Sequence, residues 1–119
     1  MLPPELEPWL PECEWSEEEL AALELPERDV AIGELAWMLD LPLWDEDGVF
    51  CIRPLDVVAG PQLERTNAAD LSQPLYVIRC NGRLVVLDGT HRLLKAARSR
   101  QATVRVREVP TGALTRLAA

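Results

Sequence analysis

Hydrophobic residues in this chain are grouped in short runs whose spacing predicts both strands and helices. Two such runs, PLYVIRC and RLVVLDG, flank Asn81 and Gly82. An Asn-Gly pair suits a type I′ turn, in which both central residues need a positive φ angle. The pattern therefore predicts a β-hairpin. Later in the chain, ATVRVREV alternates valine with polar residues, which predicts a strand with one buried face.

The first third of the chain carries shorter helical and strand patterns. Ser16 followed by Glu19 is a capping-box pattern and predicts a helix that ends before Pro26. The segment from Val30 to Leu35 predicts the start of a strand. Apolar residues three and four positions apart then predict a short helix that ends at Pro42.

Two further helices are predicted, one before the hairpin and one after it. Proline at the first position and Gly60 just past the end predict a short helix over residues 54–59, and the polar segment QLERTNAADLSQ predicts a connector. After the hairpin, apolar residues on one side predict a helix from about His91 to Ser99, with Thr90 as its N-cap. Lys95 and Arg98 of this helix are expected to be solvated.

These elements together predict an α+β fold, a small mixed sheet with helices. A chain of 119 residues with 48% hydrophobic content is long enough for one domain with a core. The predicted division is an acidic arm with proline, tryptophan and a short helix over residues 1–26, a domain over 27–110 and a tail over 111–119.

Charge is distributed unevenly along the chain. Residues 1–47 hold fifteen acidic residues and one basic residue, whereas residues 48–119 hold five acidic and eleven basic residues. The net charge of −8 therefore combines an acidic first part, at −14, with a basic remainder, at +6. Such asymmetry is typical of an acidic arm attached to a body that attracts anions, although two solvated faces of one domain would give the same counts.

Cysteine spacing and apolar content exclude several classes of protein. The three cysteines lie far apart and form no C-x-x-C pair, which argues against a disulfide framework and against a zinc knuckle. No apolar run approaches the roughly 18 residues that a membrane span needs. The N-terminus is acidic where a signal peptide would be basic. We therefore expect a soluble, cytoplasmic protein without a membrane partner.

The segment LVVLDGTHRLLK joins the predicted hairpin to the predicted helix. A helix start favours an anion because its backbone N–H groups are unpaired and the helix dipole is positive there. Gly89 leaves room for such a ligand, Arg92 offers a planar set of donors, and His91 can donate a hydrogen bond or transfer a proton. Asp88 can hold a metal ion that bridges phosphates, orient His91 or accept a proton. The junction therefore predicts a phosphate site.

Each of these residues also has a purely structural interpretation. Asp88 and Gly89 can form a simple strand-to-helix turn, and Arg92 can be a solvated helix residue. Thr90 can contact phosphate or only cap the helix. A chain with one histidine cannot build a common zinc site, which argues against His91 as a metal ligand.

The stretch from Ala69 to Val109 resembles the ParB and sulfiredoxin superfamily. Members of this superfamily carry a D-G-x-H-R or G-x-x-R element between a strand and a helix, which DGTHR matches here. Many also carry an acidic-apolar-polar-Pro run before the hairpin, similar to DLSQP. The segments LAWMLDLPLW and IRPLDVV resemble the upstream part of small standalone ParB-like proteins. The resemblance implies a ParB/sulfiredoxin-like fold from about Val30 onward.

The same resemblance implies nucleotide binding at the junction. Thr90 stands where sulfiredoxins have their reactive cysteine, which argues against sulfiredoxin activity, whereas His91 and Arg92 match the pair that holds nucleotide phosphates. The ParB-like free-serine kinases carry D-G-H-H-R, which differs from DGTHR at one position. Their phosphoryl-transfer site implies ATP or another nucleotide with Mg²⁺ as cofactor, with Gly89 and Thr90 also at the phosphates and Asp88 at the metal. Chromosome-partitioning ParB proteins use a G-E-R-R element and a helix-turn-helix domain, and this chain has neither.

The resemblance also implies a catalytic base. In the free-serine kinases this base is a glutamate from an early loop, and Glu34 lies in the corresponding region of this chain. The carboxylates of residues 45–47 are alternatives. Asp88, His91 and Glu34 are therefore the candidate catalytic residues.

Three functions are compatible with these features. The first is a nucleotide-binding ParB-like domain that acts as a small-molecule phosphotransferase. The second is a non-catalytic ParB-like module whose acidic arm, with Trp9 and Trp15, binds a basic protein or covers the basic face of its own chain. Direct nucleic-acid binding ranks third, because aromatic residues make up only 5% of the chain and most of them lie in its acidic part.

Overall fold

Short helices and strands alternate along the chain. The structure is a computed structural model that describes residues 17–80 and 82–110. Its helices are α1 (Glu17–Ala22), α2 (Pro61–Ala68) and α3 (Thr90–Arg98). Its strands are β1 (Arg28–Ala31), β2 (Trp44–Glu46), β3 (Val49–Ile52), β4 (Leu75–Cys80), β5 (Arg83–Asp88) and β6 (Thr103–Glu108). Short 3-10 helices lie at Ile32–Glu34, Ala36–Asp40 and Pro54–Asp56.

Four of the strands form a mixed sheet in the order β1, β6, β4, β5. Strand β6 is antiparallel to β1 and parallel to β4, and β4 is antiparallel to β5. The apolar residues of β4 from Leu75 to Ile78 are all buried, as expected for an inner strand that is covered on both faces. The predicted α+β class with a mixed sheet is therefore confirmed.

Several predicted elements are present. Strands β4 and β5 form the predicted hairpin, although Asn81 of its turn lies outside the described residues. Strand β6 and helix α3 follow where the sequence predicts them. Helix α1 begins at Glu17, and the proposed capping residue Ser16 is outside the described residues. The predicted short helix before Pro42 is the 3-10 helix Ala36–Asp40.

Four local predictions are wrong in whole or in part. Strand β1 ends at Ala31, and a 3-10 helix follows at Ile32–Glu34, where the sequence predicts a strand that continues toward Leu35. The polar segment after Gly60 is helix α2 rather than a connector, and Gly60, with a φ of 86°, is the N-cap of α2 rather than the end of an earlier helix. A proline in the first turn has the φ angle that a helix needs, so Pro61 starts α2 despite its polar sequence. Residues 54–59 form only the 3-10 helix Pro54–Asp56. Gly89, not Thr90, is the N-cap of α3.

The hairpin of β2 and β3 has no counterpart among the predicted elements. These strands are only three and four residues long, too short to show a clear alternation. Their turn residues Asp47 and Gly48 have φ angles of 52° and 83°. Two successive positive φ angles are typical of a type I′ turn, for which Asp-Gly is a common sequence. The Asp47-Gly48 dipeptide is therefore the one local feature of the sequence that indicates this hairpin.

The buried face of α3 contributes to a core that also includes α1 and the sheet. Leu93, Leu94 and Ala96 of α3 are buried, as is Leu20 of α1. The arm residues before Glu17, including Trp9 and Trp15, lie outside the described part of the chain. Among the described residues, no helix has the length and apolar character needed to cross a membrane.

The 3-10 helix Ala36–Asp40 covers the edge strand β5. Trp37 Nε1 donates a hydrogen bond to the carbonyl oxygen of Leu84 (3.2 Å), and the backbone N–H of Val86 donates to Met38 Sδ (2.9 Å). An edge strand otherwise presents such groups to solvent or to another chain. These contacts therefore protect β5 from pairing with a further strand.

Gly89 connects β5 to α3 in a conformation that favours glycine. Its φ angle is 112°, a region that residues with a Cβ rarely adopt. A Cβ added here would lie 2.9 Å from Leu75 Cγ. Both the backbone angle and the close approach of β4 therefore require glycine.

We expect Gly89→Ala to lower the free energy of unfolding by about 2–4 kcal/mol, because it adds backbone strain and a steric clash in the core. Chemical denaturation followed by circular dichroism measures this change. Gly33→Ala is the matched control, since a Cβ at Gly33 has no atom within 4 Å. The control should change stability by no more than about 0.5 kcal/mol. Equal losses in the two variants would contradict the packing role of Gly89.

Candidate functional site

The predicted residues Asp88 to Arg92 lie together where β5 ends and α3 begins. Asp88 is the last residue of β5, and Arg92 is one helical turn further along the chain. Asp88 Oδ2 lies 3.8 Å from Arg92 Nη1. The five residues of this junction are partly buried. The junction therefore places a carboxylate beside a guanidinium, and each reduces the net charge that the other presents.

Gly89 does not leave space for a ligand in the way the sequence predicts. The position of its missing side chain is taken by Leu75, whose Cγ would lie 2.9 Å from an added Cβ. The glycine therefore allows close packing of β4 against the junction. Thr90 is the first residue of α3, one position after its N-cap.

His91 joins three elements of the fold. Its imidazole stacks on the indole of Trp44 in β2, with ring centroids 4.4 Å apart and planes inclined by 10°. His91 Nε2 lies 2.7 Å from Gln62 Oε1 of α2. The amide oxygen is an acceptor, so Nε2 carries the proton in this contact. Burial, with a smaller effect of the nearby Arg65 charge, lowers the pKa of His91 below its ordinary value of 6.5. The neutral imidazole therefore predominates at neutral pH.

The basic side chains of α3 bind backbone carbonyls of neighbouring segments. Arg92 Nη1 donates to the oxygen of Pro74 (3.2 Å), immediately before β4. Lys95 Nζ donates to two carbonyl oxygens at the end of α2 (2.8 Å each). Arg98 Nη2 donates to the oxygen of Val57 (2.6 Å). Lys95 and Arg98 therefore make structural hydrogen bonds between α3 and neighbouring segments and are not simply solvated as the sequence predicts.

A cleft of about 290 Å³ lies beside Arg92. The guanidinium-bearing residues Arg92, from α3, and Arg105, from β6, both line it. Arg105 also lies 3.9 Å from Glu27 Oε2 and 3.9 Å from Asp29 Oδ1. The carboxylate of Asp29 also lines the cleft, and neutral hydroxyl and amide residues complete the polar part of the lining: Ser72, Gln73, Gln101 and Thr103. The cleft therefore combines two cations and one carboxylate with neutral hydrogen-bonding groups.

Glu34 is exposed and ends the 3-10 helix Ile32–Glu34. The backbone N–H of Ile32, at the start of that 3-10 helix, donates to Ala102 O (3.0 Å), which lies beyond the C-terminal end of α3. The junction is at the N-terminal end of α3. The alternative carboxylates of residues 45–47 are exposed on the β2–β3 hairpin, directly after Trp44. These three carboxylates therefore directly follow Trp44, the residue that stacks on His91.

The junction is a poor resident site for Mg²⁺. Among the described residues, no group of three His, Cys, Asp or Glu side chains is placed to hold a metal ion. Asp88 is beside the guanidinium of Arg92, which competes with a cation. Mg²⁺ is often held by one carboxylate together with substrate phosphates. Asp88 therefore fits only an ion that arrives bound to a phosphorylated ligand.

Three arginines in the basic part of the chain have local partners that bear on nucleic-acid binding. Glu108 Oε1 lies 3.8 Å from Arg79 Nη2, Glu27 Oε1 lies 3.6 Å from Arg107 Nη2, and the Arg83 guanidinium lies 4.2 Å from the centre of the Trp37 ring. Nearby carboxylates reduce the positive potential that a phosphate backbone would meet. Nucleic-acid binding therefore stays below the other proposals.

Comparison of the chain with family models, with curated proteins and with solved structures gave no match. The resemblance to the ParB and sulfiredoxin superfamily therefore stays a prediction from the sequence motif, and so do the roles assigned to Asp88, Glu34 and His91.

Sequence reasoning did not identify the neighbours of the junction. Gln62 and His91 are 29 positions apart, and Gln62 lies in a helix that the sequence did not predict. Trp44 belongs to the β2–β3 hairpin, which was also missed. The cleft depends on the position of Ser72 and Gln73 relative to β6, which no local pattern specifies.

We expect the free energy of unfolding to fall as the pH drops from about 6.5 through the lower pKa of folded His91, because the unfolded chain takes up this proton at higher pH. The stabilisation is complete above about pH 6.5. The chain has one histidine, so urea denaturation between about pH 7 and 5.5 monitors this residue.

His91→Phe is the control for this pH dependence. It keeps an aromatic ring against Trp44 but cannot titrate, so its stability should be nearly constant over the same range of pH. An equally steep decline in the variant would show that another group causes the loss.

Proposed function

We propose that this chain is a ParB-like domain that binds a nucleotide or another phosphorylated small molecule in the cleft beside Arg92. The observation that carries the proposal is that Arg92 and Arg105, from different elements, line the same cleft together with hydroxyl and amide residues and a single carboxylate, Asp29. A guanidinium group has planar donors that match the oxygens of a phosphate. Two such groups outnumber the one carboxylate of the lining, Asp29, so the cleft favours an anion over a neutral ligand.

The ion pairs of Arg105 can give way to a phosphate. The carboxylate oxygens near this arginine, on Glu27 and Asp29, are each 3.9 Å away. A charge-assisted hydrogen bond is shorter, about 2.7–2.9 Å. Because these pairs are long and partly exposed, phosphate oxygens can approach the Arg105 guanidinium without breaking a tight salt bridge.

The size of the cleft sets a limit on how the ligand is held. Its volume of about 290 Å³ is at the lower end of the range of about 300–1,000 Å³ for ligand pockets. A nucleotide would therefore remain partly exposed at the mouth of the cleft.

A more specific version of this proposal is that the chain catalyses phosphoryl transfer, which the DGTHR sequence motif supports. Positioning and charge neutralisation account for most of the catalysis in such reactions, and Arg92 with Arg105 would supply both. Asp88 and His91 do not line the cleft, so the role of Asp88 as a proton acceptor rests on the sequence motif alone, while neutral His91 would hold the junction against Trp44 and Gln62. Mg²⁺ would neutralise phosphate charge when the nucleotide brings it in.

Calorimetric titration with ATP, ADP and CTP, each with Mg²⁺, tests the proposal. Binding should also raise the melting temperature, because a ligand that binds only the folded state stabilises that state. Absence of both heat and thermal shift at millimolar nucleotide and at millimolar inorganic phosphate would refute it.

We expect Arg92→Gln and Arg105→Gln each to weaken nucleotide binding by about tenfold or more, since each removes a charged hydrogen-bond donor. Arg98→Gln is the matched control, because Arg98 also lies on α3 and binds a backbone carbonyl but does not line the cleft. Its affinity for nucleotide should be close to that of the original chain. Equal weakening by Arg98→Gln would point to a general loss of structure or charge instead of a site at the cleft.

A further inference from the structure

Strand β6 extends beyond the start of β4. The parallel pairing of these strands begins at Leu75 and Val106. The three residues Thr103–Arg105 pair with β1 on one side and, in the described part of the chain, have no strand on the other side. All three line the cleft. A short length of open strand edge therefore borders the proposed phosphate site.

The hydrogen bonds at the two ends of β6 identify the backbone groups on this open edge. On the β1 side, the N–H of Ile32 donates to the oxygen of Ala102 (3.0 Å). On the β4 side, the N–H of Val109 donates to the oxygen of Val77 (2.7 Å). Successive residues of a strand direct their backbone groups to opposite neighbours. The N–H and C=O groups of the odd-numbered residues of β6 therefore point away from β1, toward the cleft.

The loop before β4 turns away from this edge. The N–H of Gln73 donates to the oxygen of Asp70 (3.1 Å), and the N–H and hydroxyl of Ser72 donate to Asp70 Oδ1 (2.9 and 2.6 Å). Pro74 has no N–H, and its oxygen accepts from Arg92. These bonds occupy the groups that would otherwise continue the ladder of β4. The carbonyl of Thr103 and the N–H of Arg105 are therefore directed at the cleft.

We propose that this edge binds the base of the nucleotide. The carbonyl of Thr103 accepts a hydrogen bond from an amino group of the base, and the N–H of Arg105 donates to the adjacent ring nitrogen. A base with an amino group next to an unprotonated ring nitrogen, such as adenine or cytosine, has this edge. The inference rests on the proposed phosphate site at Arg92, because the anchored phosphates prevent the base from turning over.

The dimensions and chemistry of the edge favour a flat base over a peptide. Three residues of open strand offer one carbonyl and N–H pair, which a single planar group satisfies, whereas an added peptide strand needs a longer edge. Apolar residues line the cleft close to this pair and can cover the faces of a ring. These residues are Leu71, Leu75, Ala96 and Val104.

Amide hydrogen exchange tests the open edge directly. Without nucleotide, the N–H of Arg105 should exchange at least tenfold faster than those of Val104 and Val106, which face β1. Saturation with ATP should slow exchange at Arg105 by at least fivefold. Protection of Arg105 equal to that of Val104 in the nucleotide-free chain, or no change on saturation, would overturn the inference.

Comparison of ATP with ITP tests the recognition of the base. ITP is a purine triphosphate of the same size, but its edge has a carbonyl oxygen and a ring N–H in place of the amino group and ring nitrogen. ATP should bind at least tenfold more tightly than ITP. Equal binding of both would leave the phosphate site standing and overturn the base-binding edge. If neither triphosphate binds, the proposed function fails and the inference fails with it.

Two substitutions at Arg105 distinguish the contribution of its backbone N–H to base recognition from that of its side chain. Arg105→Gln and Arg105→Pro both remove the guanidinium, and only the proline removes the N–H. Proline is tolerated where the N–H of a strand has no partner in the ladder. Arg105→Gln should keep the preference for ATP over ITP, and Arg105→Pro should lose it. If the proline variant does not fold, as judged by circular dichroism, the ATP and ITP affinities of the unchanged chain decide the question.

Discussion

Three cations on one side of α3 hold the segments around it in place. Arg92, Lys95 and Arg98 recur at every third position, so they project from neighbouring turns of the helix. Each donates to backbone carbonyls at the end of a neighbouring element, and such carbonyls have no partner within that element. A hydrogen bond to a charged group contributes about 1.5–3 kcal/mol. The oxygens that accept these bonds belong to Pro74, Asn67, Ala69 and Val57.

The cleft follows from this arrangement. Lys95 fixes the end of α2, and Arg92 fixes the residue before β4, so the intervening loop is drawn toward α3 and away from β6. The space between the loop and β6 is the cleft, and Arg92 lines it while it bonds to the loop. The same side chain therefore shapes the site and supplies one of its charges. This double role explains why substitution of Arg92 needs a control such as Arg98, which has a similar structural contact elsewhere.

The elements that the sequence predicts are those with local signals. The hairpin of β4 and β5, the helix α3 and the strand β6 each show a turn dipeptide or a clear hydrophobic period, and the contiguous residues Asp88 to Arg92 belong to one turn. Helix α2 is polar and buries only Thr66, so its periodicity is weak. The neighbours of His91 come from distant parts of the chain. The position of Glu34 depends on the path of the chain after β1, which residue type alone does not determine.

The central claim is that the cleft beside Arg92 is the place where a phosphorylated ligand binds. A crystal structure of the chain with bound ATP tests this claim most directly. The account predicts phosphate oxygens within about 2.7–3.2 Å of the guanidinium groups of Arg92 and Arg105. A triphosphate held on another surface, with neither arginine in contact with it, would contradict the account.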